Sequence, residues 1–110
     1  MEKTINQYIM PKTAKINEKG NFEIGGCDCV ELAEKYSTPL YVLDEEGIRT
    51  IANEYKSAFK SYPDINMLYA SKAFCSQAMF KIMDSEGFGF DLVSGRSEER
   101  RVGKECRSRW

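Results

Sequence analysis

A lysine stands where an apolar strand gives out. The stretch LYASKAFCSQ, from Leu68 to Gln77, runs from a strand-like pattern into Lys72 and then into a helix-like one. An amine at that junction is chemically useful in a parallel sheet, because the C-terminal ends of parallel strands and the loops after them form the reactive face of α/β barrels. A lysine amine forms imines with carbonyls, and desolvation brings its pKa toward neutrality, which arginine does not allow. The same position equally suits a solvated loop lysine, since lysines are mostly exposed. Asp91, in the apolar run FGFDLVS from Phe88 to Ser94, offers a carboxylate on the same rim, or simply caps a loop at the end of its strand.

The remaining reactive side chains offer less. There are four cysteines and no histidine. The Cys27-x-Cys29 pair lacks the spacer of a zinc knuckle, and no second pair completes a ligand set, so no metal is expected. No role is assigned to that pair, and Cys75 reads as a helix-start residue, with Met79 and Met83 as core packing. The N-terminal residues carry no apolar stretch of signal-peptide length, and no apolar run approaches the roughly 18 residues of a membrane span. A reducing cytoplasm is the expected location, without disulfides.

The elements that would position Lys72 and Asp91 follow from pattern. Residues 1–20 are polar and weakly patterned and read as an arm that packs on something else. NFEIGG (21–26) alternates as a short strand before a glycine turn. Asp28 caps a helix over 29–36, with Glu31 placed for a capping box, and Pro39 ends that segment. LYVLD (40–44) is too short for a helix and reads as a strand. Asp44 then caps a longer helix with Ile48, Ile51, Ala52, Tyr55, Ala58 and Phe59 on one face. INMLYAS (65–71) is the next strand, Ser76 caps a helix that Gly87 ends, and 88–94 is a further strand. Strand, helix, strand, helix, strand, at about 25 residues per repeat, is the rhythm of βα units with right-handed crossovers. The fold class is therefore α/β, the opening portion of a (β/α)₈ TIM barrel.

Charge divides the chain at Gly95. Before it stand 10 Lys+Arg against 14 Asp+Glu, and after it 6 against 3, so the near-neutral total hides −4 in the body and +3 in the tail. Arg49 is the only arginine of the first 95 residues, whereas the last 15 hold five. Glu98, Glu99 and Glu105 interrupt the basic run and Trp110 is its only aromatic residue, a poor match to a nucleic-acid arm. Codon by codon, RSEERRVGKECRSRW can be back-translated to match the reverse complement of a widely used sequencing adapter. The expectation is a polar arm over 1–20, barrel sequence over 21–95 and a non-native tail over 96–110.

Three segments in order carry a resemblance. IGGCDCVELAEKYSTPLYVLDEE, then LYASKAF, then EGFGFDLVSG resemble the successive opening segments of the diaminopimelate decarboxylases, pyridoxal-phosphate enzymes of the alanine-racemase-like barrel group. The likeness runs from about Phe22 to Gly95 and covers the first fifth to quarter of such an enzyme. It implies that Lys72 holds pyridoxal 5′-phosphate as an imine, that Asp91 lies near that lysine, and that Ala70 and Ser94 line the cofactor cavity. It further implies a barrel followed by a β domain, a small-molecule amino-acid substrate, a homodimer, and no nucleic-acid or membrane partner. The phosphate-binding glycines, substrate-binding arginines and partner-subunit cysteine of the family would lie beyond residue 95. The continuation GELYTA typical of the family does not follow Gly95, where Arg96 stands instead. Two other readings remain: a relative on the same barrel acting on arginine, ornithine or carboxynorspermidine, and a non-catalytic truncated chain.

Overall fold

The computed structural model describes residues 9–92. Ser94 and the stretch from Arg96 to Trp110 lie outside the described residues. The chain divides after Thr50 into two compact units.

The first unit holds three short antiparallel strands, β1 (Lys15–Ile16), β2 (Phe22–Ile24) and β3 (Cys27–Asp28), followed by α1 (Cys29–Tyr36) and the start of α2 (Glu45–Ala58). Ile16 pairs with Phe22, and Ile24 with Cys27. The β1–β2 turn is organised by Asn17, whose side-chain oxygen accepts the N–H groups of Lys19 and Asn21, each at 3.0 Å. An Asn side chain does here what a backbone carbonyl does in an ordinary turn. A strand of two residues is too short to leave an alternation, which is why the stretch expected as a polar arm conceals β1.

Asp28 caps α1 as its sequence position predicts, accepting from the N–H groups of Val30 (2.8 Å) and Glu31 (3.4 Å). Glu31 does not complete the capping box but pairs with Lys19 at 2.6 Å. Asp44 caps α2, its Oδ1 accepting from the Gly47 N–H at 2.9 Å and its main-chain oxygen from Ile48 at 2.9 Å. A Cβ at Gly47 would collide with the Asp44 carboxylate, so this helix position requires glycine for space. The expected strand at 40–44 is not formed: among the described residues that segment joins no ladder, and Tyr41 is 98% exposed. A compact apolar run signals burial, but a strand also needs a neighbour to exchange hydrogen bonds with.

The second unit is a parallel βαβ arrangement. β4 (Leu68–Ala70), α3 (Gln77–Ser85) and β5 (Gly89–Asp91) follow in order, and β4 pairs with β5 in parallel, Leu68 with Gly89, Tyr69 with Phe90 and Ala70 with Asp91. Ser76 caps α3 by accepting from the Met79 N–H at 3.2 Å. At the other end Gly87 takes φ 81°, the N–H of Phe88 donates to Met83 at 3.0 Å and that of Gly87 to Asp84 at 2.9 Å. That pair of bonds is the Schellman motif, and the positive φ explains why glycine stands there.

Side chains alternate across the two strands. Phe90 meets Phe80 of α3 edge to face, with ring centroids 4.8 Å apart, and Phe80 and Met83 are buried. Leu68, Ala70 and Asp91 alternate away from that layer and are exposed. In α2 the predicted apolar stripe forms, but only Ala52 on it is buried; Ile51, Tyr55 and Phe59 are each more than 40% exposed. The helical period is thus present without a covering layer among the described residues. Lys56 of α2 donates to the Glu86 carboxylate (2.9 Å) and to its carbonyl (3.0 Å), placing a cation at the C-terminal end of α3 where the helix dipole favours one.

Candidate functional site

Lys72 lies in the turn that begins as β4 ends, and its side chain is exposed. Ser71, directly before it, is 1% exposed. Ala70, one residue earlier, is the register partner of Asp91, so the lysine and the aspartate emerge at the same end of two neighbouring parallel strands. Ala70 and Asp91 are both exposed on the face away from α3. Among the described residues neither the Lys72 amine nor the Asp91 carboxylate has a hydrogen-bond or ion-pair partner. Of the sequence-predicted set, Ala70, Lys72 and Asp91 are brought together, while Ser94 lies outside the described residues.

The Lys72 turn is held on both flanks. Ser71 donates twice to the Asp91 carbonyl, from its N–H at 3.2 Å and from its hydroxyl at 2.8 Å. The Ala73 N–H donates to the Ala70 carbonyl at 3.2 Å, and the Tyr69 hydroxyl reaches forward to the Phe74 carbonyl at 2.7 Å. Burial pushes the Tyr69 phenol above its ordinary pKa, so it remains a donor at neutral pH. Ser71 was missed as a site residue in the sequence. The signal was there: Met67, Tyr69 and Ser71 share one face of the strand, and a serine on a face that is otherwise apolar or aromatic needs an internal partner.

A cavity of about 360 Å³ lies elsewhere in this unit, lined by Lys56, Phe59, Tyr62, Ile65, Met67 and Phe88. Met67 and Phe88 precede β4 and β5, so this cavity sits at the strand starts, opposite to Lys72.

The arrangement suits a carbonyl compound held by the amine. Among the described residues Lys72 carries no competing partner, and Ala70 keeps the face beside it low, although the Leu68 side chain covers Gly89 further down the strand; the residues present fit covalent attachment of an aldehyde cofactor. A parallel βαβ unit with a lysine at its C-terminal rim defines the class, a lysine-bearing α/β barrel opening. Comparison with known proteins gives the family. Residues 48–104 match the pyridoxal binding domain of the pyridoxal-dependent decarboxylases, and the chain belongs to that family. It is 46% identical over 92 residues to diaminopimelate decarboxylase from Synechocystis, covering 82% of this chain and 20% of that one. It is 49% identical over 84 residues to the enzyme of the same name from Bacillus methanolicus, covering 76% of this chain and 19% of the relative. The crystal structure of diaminopimelate decarboxylase from M. jannaschii in co-complex with L-lysine superposes with a TM-score of 0.75 at 38% identity, over 83% of this chain and 22% of that one.

The chain thus spans about a fifth of the length of the relatives it matches. The fold class expected from the strand and helix rhythm holds: this is the opening portion of the pyridoxal-phosphate-binding barrel. The family's cofactor is pyridoxal 5′-phosphate, as expected. Among the described residues no helix is long and apolar enough to cross a membrane.

Proposed function

We propose that this chain is the N-terminal part of a pyridoxal-phosphate-dependent diaminopimelate decarboxylase, which converts meso-diaminopimelate to L-lysine and carbon dioxide. The observation that carries the reading is Lys72 at the C-terminal end of β4 beside the Ala70–Asp91 pair, in a chain up to 49% identical to relatives of that name. When bound, pyridoxal phosphate supplies an electron sink for the pair of electrons left as carbon dioxide departs. Lys72 would hold the cofactor aldehyde through Nζ, and the same nitrogen, when free, would accept or return a proton. Asp91, the register partner of Ala70, would present its carboxylate at the same rim as the lysine, and the small side chain of Ala70 would leave room beside it. By the family resemblance Ser94 would be a further cofactor-binding residue.

The protein so read is cytoplasmic and a homodimer, with a small amino acid as substrate. By themselves these 110 residues are non-catalytic, supplying the lysine but only about a fifth of the relatives' length. Residues 96–110 are read as translated adapter sequence, on the fifteen consecutive codons that match it and the switch to arginine after Gly95. The family match itself runs on to residue 104. A genomic read across the Gly95 codon decides the matter: continuation into a glycine and a glutamate supports the adapter origin, and arginine codons in the genome remove it.

The function is tested with the purified full-length enzyme. Release of carbon dioxide and L-lysine from meso-diaminopimelate, with arginine, ornithine and carboxynorspermidine inert, is the expected result. Turnover of one of those three instead assigns the chain to a different decarboxylase on the same barrel.

A further inference from the structure

We propose that Ser71 is a positioning residue for Lys72: its buried hydroxyl locks the end of β4 to the Asp91 carbonyl and so sets the direction from which the amine meets the cofactor. The inference rests on the proposed role of Lys72. Ser71 is 1% exposed, less than any other buried side chain among the described residues. Its two donors converge on one acceptor, the backbone N–H at 3.2 Å and the hydroxyl at 2.8 Å. The N–H bond continues the parallel ladder past its last paired residues, Ala70 and Asp91. The hydroxyl bond is additional, using the second lone pair of the same carbonyl.

Lysine has four side-chain torsions, so its reach is generous and its aim poor unless the backbone that carries it is fixed. Here the residue before Lys72 is tied to the neighbouring strand. The residues after it are tied back by the Ala73 N–H to Ala70 and by the Tyr69 hydroxyl to Phe74. Because Ser71 grips the main chain of Asp91, one hydroxyl fixes the backbone origins of both rim groups. A residue acting this way affects alignment more than attachment, and misalignment by about an ångström costs an enzyme far more in rate than in binding.

The test uses the full-length enzyme with Ser71→Ala, Ser71→Cys and Ser71→Thr. Ser71→Cys keeps the shape and weakens the hydrogen bond, and Ser71→Thr keeps the hydroxyl. Borohydride trapping on Lys72 should remain stoichiometric in all three. The Ala and Cys variants should lose kcat roughly fivefold with KM little changed, the scale of one neutral hydrogen bond. Ser71→Thr should recover kcat, with KM again unchanged. Unchanged kcat in the Ala and Cys variants would overturn the proposal, as would a rise in KM in place of the loss of kcat, or a loss of kcat that merely follows thermal stability across the three. If the wild-type enzyme traps no cofactor on Lys72, the role of Lys72 itself falls and this inference with it.

Discussion

Asp28 and Asp44 of the first unit and Lys72 and Asp91 of the second sit in opposite circumstances. Asp28 accepts four hydrogen bonds, from Val30, Glu31, Asn17 at 2.7 Å and Asn21 at 3.0 Å. Asp44 accepts from Gly47 and, through Oδ2, from both the N–H (3.2 Å) and the hydroxyl (2.7 Å) of Thr13, whose hydroxyl in turn accepts from Gly25 at 2.7 Å. Both oxygens of each carboxylate accept hydrogen bonds, and these groups hold helix starts and loops in place. Lys72 and Asp91 are exposed and unengaged among the described residues. The difference teaches where to look for chemistry: a charge fully satisfied by its own chain builds structure, and a charge delivered to a rim by satisfied neighbours is available to a ligand.

That contrast can be broken by mutation. The largest stability loss should follow Phe80→Ala, which empties the buried contact with Phe90; about 3 kcal/mol is expected by urea unfolding, and the result checks that α3 fixes the rim from behind. Asp44→Ala should cost about 1–2 kcal/mol through the lost cap and the released Thr13. Gly47→Ala should also destabilise, although alanine favours helices, because its Cβ meets the Asp44 carboxylate.

Acid should act on the same unit. Hydrogen bonds from the Asn21 and Asn17 side chains, ahead of those from Val30 and Glu31, lower the Asp28 pKa from 3.8 to about 2. A depressed folded-state pKa gives stability that is whole above the unfolded value and is lost as pH falls through the folded one. Protection of the Val30 amide from exchange should therefore decline between about pH 4 and pH 2. Asp44 follows the same sign: burial raises its pKa, but the bonds from Gly47 and Thr13 outweigh burial and leave it lowered. The smallest effect belongs to the rim, where Lys72→Ala and Asp91→Asn should change unfolding free energy by no more than about 0.5 kcal/mol. A large loss at either would show that they too are structural.

Much of this was legible from local chemistry. Asp28, Asp44 and Ser76 announce helix starts, and Gly87 a helix end, because caps depend on a residue and its immediate successors. The parallel pairing of 65–71 with 88–94 followed from the strand–helix–strand rhythm, although the ladders span only Leu68–Ala70 and Gly89–Asp91. What depended on distant partners was not legible. The segment 40–44 has the composition of a strand but no described neighbour, and β1 is visible only once Asn17 is seen folding the turn. Phe80 was overlooked beside Met79 and Met83, since which side of α3 is covered depends on Phe90. Ser71 was the costliest omission, because its significance lies in the carbonyl of a residue on the next strand.

The most direct measurement of the central claim is borohydride reduction of the full-length, cofactor-loaded enzyme followed by peptide mapping. The account predicts a single pyridoxyl-phosphate adduct on the Lys72 peptide, absent after Lys72→Ala together with turnover. An adduct on another lysine, or turnover surviving that substitution, would contradict it.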